Sequence, residues 1–254
     1  PILFFKTRYK KYGLKLILKK LLRRIKIELN FLRSNIAGSL ALFLVLWNIN
    51  PSNAQIIKLP PPEIKSNISL KETIVKRRSI RNFSIQSLTL NELSQLLWAV
   101  AGKKIDAITS ATGNYPSAGG IYGIKIYVYV NNIKGLNKGL YYYRDHTHTL
   151  ELLSEGDISQ QLSSACLNQK FIAEAPCVFI FLGEIQRYIS GYGKRGIRYM
   201  YIDLGHCAQN LYLQATSLGL GTVAVGAFYD EVLHKLLSCG ELQPLYIMPV
   251  GRPE

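Results

Sequence analysis

Residues 198–228, RYMYIDLGHCAQNLYLQATSLGLGTVAVGAF, decide how the rest of the chain is read. Met200, Leu204, Ala208, Leu211, Ala215 and Leu218 recur every three or four positions, so one stripe of a long helix is apolar. Asp203, His206, Gln209 and Asn210 interrupt the rest of its surface. About twenty residues rising about 1.5 Å each make a rod of about 30 Å, enough to cross a small domain. Gly219 stands where a helix end calls for a left-handed residue. Thr222 to Val225 then reads as a short buried strand that stops at Gly226. A helix feeding a strand that ends on glycine offers bare backbone to a flat cofactor.

Outward from this stretch the pattern is α+β. Ser69-Leu-Lys-Glu72 is a capping box opening a helix to about Arg77, and Thr89 to Gly102 is a second amphipathic helix. Gly123–Val130 and Gly139–Leu153 are rich in Tyr, Val and Ile and predict strands, the second folded on itself at Asp145–Thr147. A helix near Asp157–Gln169 and strands at Cys177–Gly183 and Leu245–Val250 complete a central mixed or antiparallel sheet flanked by helices.

The chain has 254 residues, 48% hydrophobic, which supports a sizeable core and excludes general disorder. Its net charge of +15 is uneven: residues 1–50 hold eleven Lys/Arg against Glu28 alone, and the remainder holds twenty against fifteen acids. Within that basic leader, residues 1–55, Ile36–Trp47 is a twelve-residue uncharged run followed by small residues at Ser52 and Ala54. A secretory signal cleaved after Ala54, a membrane-surface anchor and a basic helix on a cytosolic protein remain open. Twelve residues are too few for a span of about twenty. A nucleic-acid arm is disfavoured, because the run leads into an apolar segment. Residues 56–68, with Leu59–Pro62 (LPPP), predict an extended linker, and residues 69–254 the folded domain. Cys166, Cys177, Cys207 and Cys239 have no metal-site spacing and predict small buried packing residues.

Three clusters could do chemistry. Lys76-Arg-Arg-Ser-Ile-Arg81 puts four cations and a hydroxyl at a helix end, which suits a phosphate, though such a run is also common on solvated turns. Tyr115-Pro-Ser-Ala-Gly-Gly120 is a tight loop where backbone can approach a ligand. Gly219 to Ala227 contains G-x-G, but it follows a helix and precedes a strand, so the dinucleotide fingerprint fails. His146 and His148 share a strand face without a third or fourth ligand, so no metal site is expected.

Together KRRSIRNFS (76–84), PSAGGIYGIKIYV (116–128), residues 201–228 and MPVGRP (248–253) resemble the nitroreductase superfamily, nearest to its SagB-type branch, which includes azoline oxidases of peptide pathways. The resemblance covers about Leu70 to Pro253 and implies an FMN-dependent oxidoreductase. It further implies a homodimer with flavin at the subunit interface, NAD(P)H or an organic donor, and a small organic acceptor or oxygen. By motif, Arg77, Arg78, Ser79 and Arg81 hold the FMN phosphate, ribityl chain and ring edge, while Ser117, Ala118 and Gly119 line the flavin from the partner chain. Backbone at Val225, Gly226 and Ala227 lies beside the reactive N5 edge, and Gly251 with Arg252 closes the phosphate end. The resemblance also implies that the long helix is the dimer core.

One departure bears on substrate. The azoline-oxidase branch implies a Lys-Tyr pair, where this chain reads Gly191-Tyr192-Gly193-Lys194. The lysine is displaced or lost, and Tyr192 is the candidate acid or base. The competing readings are an azoline-type peptide dehydrogenase and a non-catalytic flavin-binding member. His206 is expected to hydrogen-bond at the interface, and Trp98 with Tyr141–Tyr143 to pack in the core.

Overall fold

The computed structural model describes residues 55–104 and 112–254; the leader, its apolar run and the Ala54 cleavage site lie outside the described residues. In chain order the elements are β1 (Ile56–Lys58), α1 (Leu70–Lys76), α2 (Leu90–Ala101), β2 (Lys103–Lys104), β3 (Thr112–Gly113), β4 (Ile124–Val130), β5 (Gly139–Arg144) and β6 (Thr149–Glu155). Then come α3 (Ser159–Ala165), α4 (Lys170–Glu174), β7 (Cys177–Gly183), α5 (Ile185–Tyr192), α6 (Gly196–Ser217), β8 (Gly221–Thr222), α7 (Asp230–Leu237) and β9 (Gln243–Gly251).

Seven strands form one sheet in the order β1-β6-β5-β4-β7-β9-β8, every neighbouring pair antiparallel. Alternation on the central strands explains why both faces are covered. Ile124, Ile126, Val128 and Val130 of β4, with Cys177, Phe179 and Phe181 of β7, join a core shared with α2 and α6. Tyr127, Tyr129, Val178, Ile180 and Leu182 point into a second core with Leu162 of α3 and Leu233 and Leu237 of α7. All four cysteines are buried and unpaired within these layers.

The capping boxes form as expected. Glu72 N–H donates to Ser69 Oγ at 3.2 Å while Ser69 N–H donates to Glu72 at 3.0 Å, and Thr89 and Glu92 repeat the arrangement for α2. α6 runs 22 residues with Met200, Leu204, Ala208, Leu211 and Ala215 buried, and Gly219 follows it at φ +69°.

Four details differ from the sequence reading. β1 lies inside the stretch expected to be linker and pairs with β6, so the sheet begins at Ile56, before the prolines. The strand expected at Thr222–Val225 is ordered pairing only at Gly221–Thr222, then a single bridge from Val225 to Ile247. Asp203 is 1% exposed and not a surface residue. α4, α5 and α7, five to eight residues each, have no counterpart in the sequence reading, because one or two turns give the periodicity little length to register. Among the described residues no helix is long and apolar enough to cross a membrane.

Candidate functional site

Most of the residues singled out in the sequence converge on the β8–β9 edge of the sheet. α1 stops at Lys76, and the chain beyond it runs beside the last strand. Ser79 bridges Thr222, Ile80 N–H donates to the Thr222 carbonyl at 3.0 Å, and Ser84 N–H donates to the Arg252 carbonyl at 2.9 Å. Gly221 and Thr222 pair in turn with Gly251 and Val250. Three separate pieces of chain are thereby laid side by side.

Tyr212 of α6 ties two of these pieces together. The Arg77 guanidinium stacks over its ring, 5.1 Å from the centroid. Its hydroxyl accepts the Ala224 N–H at 2.9 Å and lies 3.1 Å from Ser79 Oγ. Sequence reasoning missed Tyr212, because an aromatic residue one step off an apolar stripe reads the same as packing. Arg78 folds back, its Nη1 donating to the carbonyls of Val75 and Arg77 at 2.7 and 2.9 Å, so it caps α1. Arg81 is exposed and meets no carboxylate among the described residues. Arg252 Nη2 pairs with Glu92 Oε1 at 2.8 Å, while Glu92 Oε2 accepts the Thr89 N–H at 2.8 Å. One carboxylate therefore fixes both the start of α2 and the last arginine.

The glycines sort by what a Cβ would meet. At Gly221 it would strike Ile80 at 2.6 Å, and at Gly251 it would strike Pro176 at 2.8 Å and Phe83 at 2.9 Å, so the fold's own packing requires both. At Gly226 a Cβ would meet only the Tyr246 ring, at 3.6 Å, which is ordinary contact. Gly226 and Ala227 are exposed, and their N–H groups find no acceptor among the described residues. Val225 differs: its N–H and carbonyl both pair with Ile247, at 2.8 and 3.0 Å. The donors left for a ligand are at 226 and 227.

A second group sits toward the other end of α6. Ser117 Oγ donates to Asp203 Oδ2 at 2.5 Å, Ala118 N–H donates to Oδ1 at 3.2 Å, and the Tyr188 hydroxyl donates to Oδ2 at 2.7 Å. A buried carboxylate needs such donors, which explains why Asp203 can be internal. Burial and the hydrogen bond to Asp203 push the Tyr188 hydroxyl well above its ordinary range. The Tyr122 N–H donates to Ser117 Oγ at 2.9 Å, so that hydroxyl is engaged within its own chain. His206 Nδ1 lies 2.9 Å from the Pro116 carbonyl and holds the same loop. The loop's open face is the backbone of Gly119 and Gly120, at φ +55° and +66°.

Tyr192, the candidate acid or base, meets this loop: its hydroxyl packs against Gly119 and leaves no room for a Cβ there. Its ring is edge-on to Tyr199 with centroids 4.9 Å apart. Asp203 and Tyr212 stand nine residues apart on α6, so within one chain the two groups are separated by about 13 Å along the helix.

The histidines do not share an exposed face. His146 is exposed, whereas His148 is half-buried, its Nδ1 2.8 Å from the Tyr143 hydroxyl and its Nε2 2.8 Å from Ser94 Oγ and 3.0 Å from the Pro60 carbonyl. Burial lowers its pKa.

The model of the nitroreductase family matches residues 74–252. "Putative nitroreductase MJ1384" of Methanocaldococcus jannaschii is 43% identical over 198 residues, spanning 77% of this chain and 96% of that protein. The FMN reductase (NADPH) of Bacillus subtilis is 24% identical over 72% of this chain and 65% of its own length. A chain of the E. coli microcin synthetase McbBCD complex, solved with truncated pro-MccB17 bound, shares the fold with a TM-score of 0.62 at 20% identity, over 86% of this chain and 83% of that one. A family match across most of the sequence and a relative at 43% identity place the chain by descent: it belongs to the nitroreductase family.

Proposed function

We propose that the protein is an FMN-dependent oxidoreductase that works as a homodimer, moving a hydride equivalent from a nicotinamide or organic donor to a small organic acceptor or oxygen. The observation that carries this is the β8–β9 edge, where the segment carrying Arg77 and Arg81 lies along Thr222 and the segment carrying Arg252, with the open N–H groups of Gly226 and Ala227 just past the Val225–Ile247 bridge. Bound FMN would supply the redox chemistry, taking up two electrons and a proton from the donor and giving them to the acceptor.

The chain's own residues bind and position. Arg77 and Arg81 offer paired donors and charge to the phosphate, and Arg252, held by Glu92, closes the same end. Gly226 and Ala227 have backbone donors free to hydrogen-bond a bound flavin, and would stabilise the negative charge of its reduced form. Ser117 contributes by fixing the loop on Asp203, and in a homodimer the backbone from Ala118 to Gly120, with Tyr192 packed against it, would line the flavin of the partner copy.

The dimer reading has its own support. Leu70, Ile74 and Val75 of α1 are more than half exposed, an apolar patch that a second copy covers. Gly205 lies in the middle of α6, where alanine favours a helix by about 1 kcal/mol, and its Cβ position faces open space. In the homodimer a second helix packed at this point would use the missing side chain for close approach.

The test is an absorbance spectrum of purified protein with FMN, followed by anaerobic titration with NADPH. Retained flavin absorbance that bleaches on reduction is expected. Protein that stays colourless and takes up no FMN defeats the reading.

A further inference from the structure

Residues 55–62 form a strap that joins residues 1–54 to the sheet: β1 pairs with β6, and Leu59 is buried just before the prolines. Beyond β1 the strap meets His148 twice. The Leu59 N–H donates to the His148 carbonyl at 3.2 Å, and the Pro60 carbonyl lies 3.0 Å from His148 Nε2. Ser94 Oγ of α2 donates to the same Pro60 carbonyl at 2.6 Å and lies 2.8 Å from Nε2. On the other side of the ring, Nδ1 is 2.8 Å from the Tyr143 hydroxyl of β5, and the two rings stand edge-on with centroids 5.7 Å apart. Ser94 and Tyr143 are both buried. The His148 backbone has φ +52°, in the left-handed region that an L-residue keeps where its surroundings hold it.

These partners fix the charge of the ring. A carbonyl only accepts, so Nε2 carries the proton that faces Pro60. In the neutral ring Nδ1 is then an acceptor and takes the Tyr143 O–H. A second proton turns Nδ1 into a donor facing that hydroxyl and puts a full charge among buried groups. The surroundings supply no counter-charge. Asp145 pairs with Lys103, Glu151 with Arg144, and Glu92 of α2 with Arg252. Lys58, Glu63, His146 and Glu155 are exposed, and no carboxylate bonds to His148 among the described residues.

We propose that His148 is an acid-sensitive latch for the strap: the neutral ring holds Leu59 and Pro60 in place, and a second proton on the ring releases them. Release uncovers the edge of β6 from Thr149 to Glu151 and adds the length of residues 55–62, about 25 Å when extended, to the tether of residues 1–54. The direction follows from linkage. Burial favours the neutral ring while the strap is closed, and the solvated ring of the open strap takes its second proton near the ordinary 6.5, so acid favours opening. The latch is independent of the flavin reading.

Hydrogen exchange of the full chain from about pH 8 to about pH 5, corrected for the intrinsic pH dependence of amide exchange, tests it. The readout is the amides of Leu59 and Leu152, which are bonded to the carbonyls of His148 and Gln55. Their protection should fall below pH 6.5 by up to about tenfold per pH unit, while amides paired between β4 and β7 keep theirs. The fall should end where the His148 ring itself titrates by NMR. His148→Gln keeps a donor and an acceptor without a titrating group, so it should remove the acid step, and His146→Gln, at the exposed neighbour, should retain it. Strap protection that stays constant across the range, an acid step that survives His148→Gln, or an equal fall in β4 and β7 overturns the proposal. Should His148→Gln fail to fold, the NMR comparison decides: a fall that continues well below the ring's own titration overturns the latch.

Discussion

The two ends of α6 are built with tyrosines and arginines alike, and they use them differently. Toward the C-terminal end, Tyr212 has its ring under Arg77 and its hydroxyl between Ser79 and Ala224. Toward the N-terminal end, Tyr201 and Arg198 line a groove in which the cations lack a carboxylate partner among the described residues. The first region is preorganised, so a ligand there loses little free energy to ordering of the protein. The second leaves its cations without such partners, on the helix face that also carries Gly205.

The strongest way to break the comparison is Gly205→Arg, midway between the two ends. In the proposed homodimer it places a long cation on the interface face of α6, so the dimer should dissociate by sedimentation and FMN retention should go with it. A dimeric, flavin-loaded variant would remove α6 from the interface. Next, Asp203→Ala leaves the Ser117 hydroxyl, the Ala118 N–H and the Tyr188 hydroxyl without their acceptor. Denaturant unfolding should show a loss of about 3 kcal/mol, since each orphaned buried donor costs about 1–3 kcal/mol before relaxation.

The cofactor end is sharpened by a graded pair. Arg77→Ala removes a charge-assisted contact worth about 1.5–3 kcal/mol, so FMN affinity measured by fluorescence titration should fall about 10- to 100-fold. Tyr212→Phe keeps the ring under Arg77 but drops the hydroxyl, so affinity should fall less than about tenfold. Equal losses in the two variants would mean that the stacking does not hold Arg77.

The smallest effect belongs to His148, which lies at neither end and serves as the control. Burial holds its pKa below the ordinary 6.5, so the folded protein binds fewer protons there than the unfolded chain. Stability from this group is therefore present above pH 6.5 and declines as pH falls toward and through the lowered value. His148→Gln should flatten that slope while leaving FMN affinity unchanged.

Much of this architecture was legible in the chain. Met200 to Ala215 at helical spacing, the Ser69 and Thr89 capping boxes and the alternation of Ile124–Val130 are local patterns, and a local pattern is set by neighbours in sequence. The candidate cofactor edge was partly legible too, because Arg77, Ser79, Arg81 and Gly226 sit in short motifs. Tyr212, Glu92 and Asp203 were not, although each organises a site. Their roles depend on residues 133, 160 and 86 positions away, respectively Ser79, Arg252 and Ser117.

By itself, the sequence determined the long helix, the two capped helices and the central strands, and which residues have the chemistry to bind an anion or present bare backbone. Only the tertiary structure decided that Asp203 is an internal anchor, that Arg78 caps its own helix and that Gly251 serves packing while Gly226 stays open. The reason is physical: a side chain's type is fixed in the chain, but the partner that occupies its donors is chosen by which distant segments the buried sheet brings into reach.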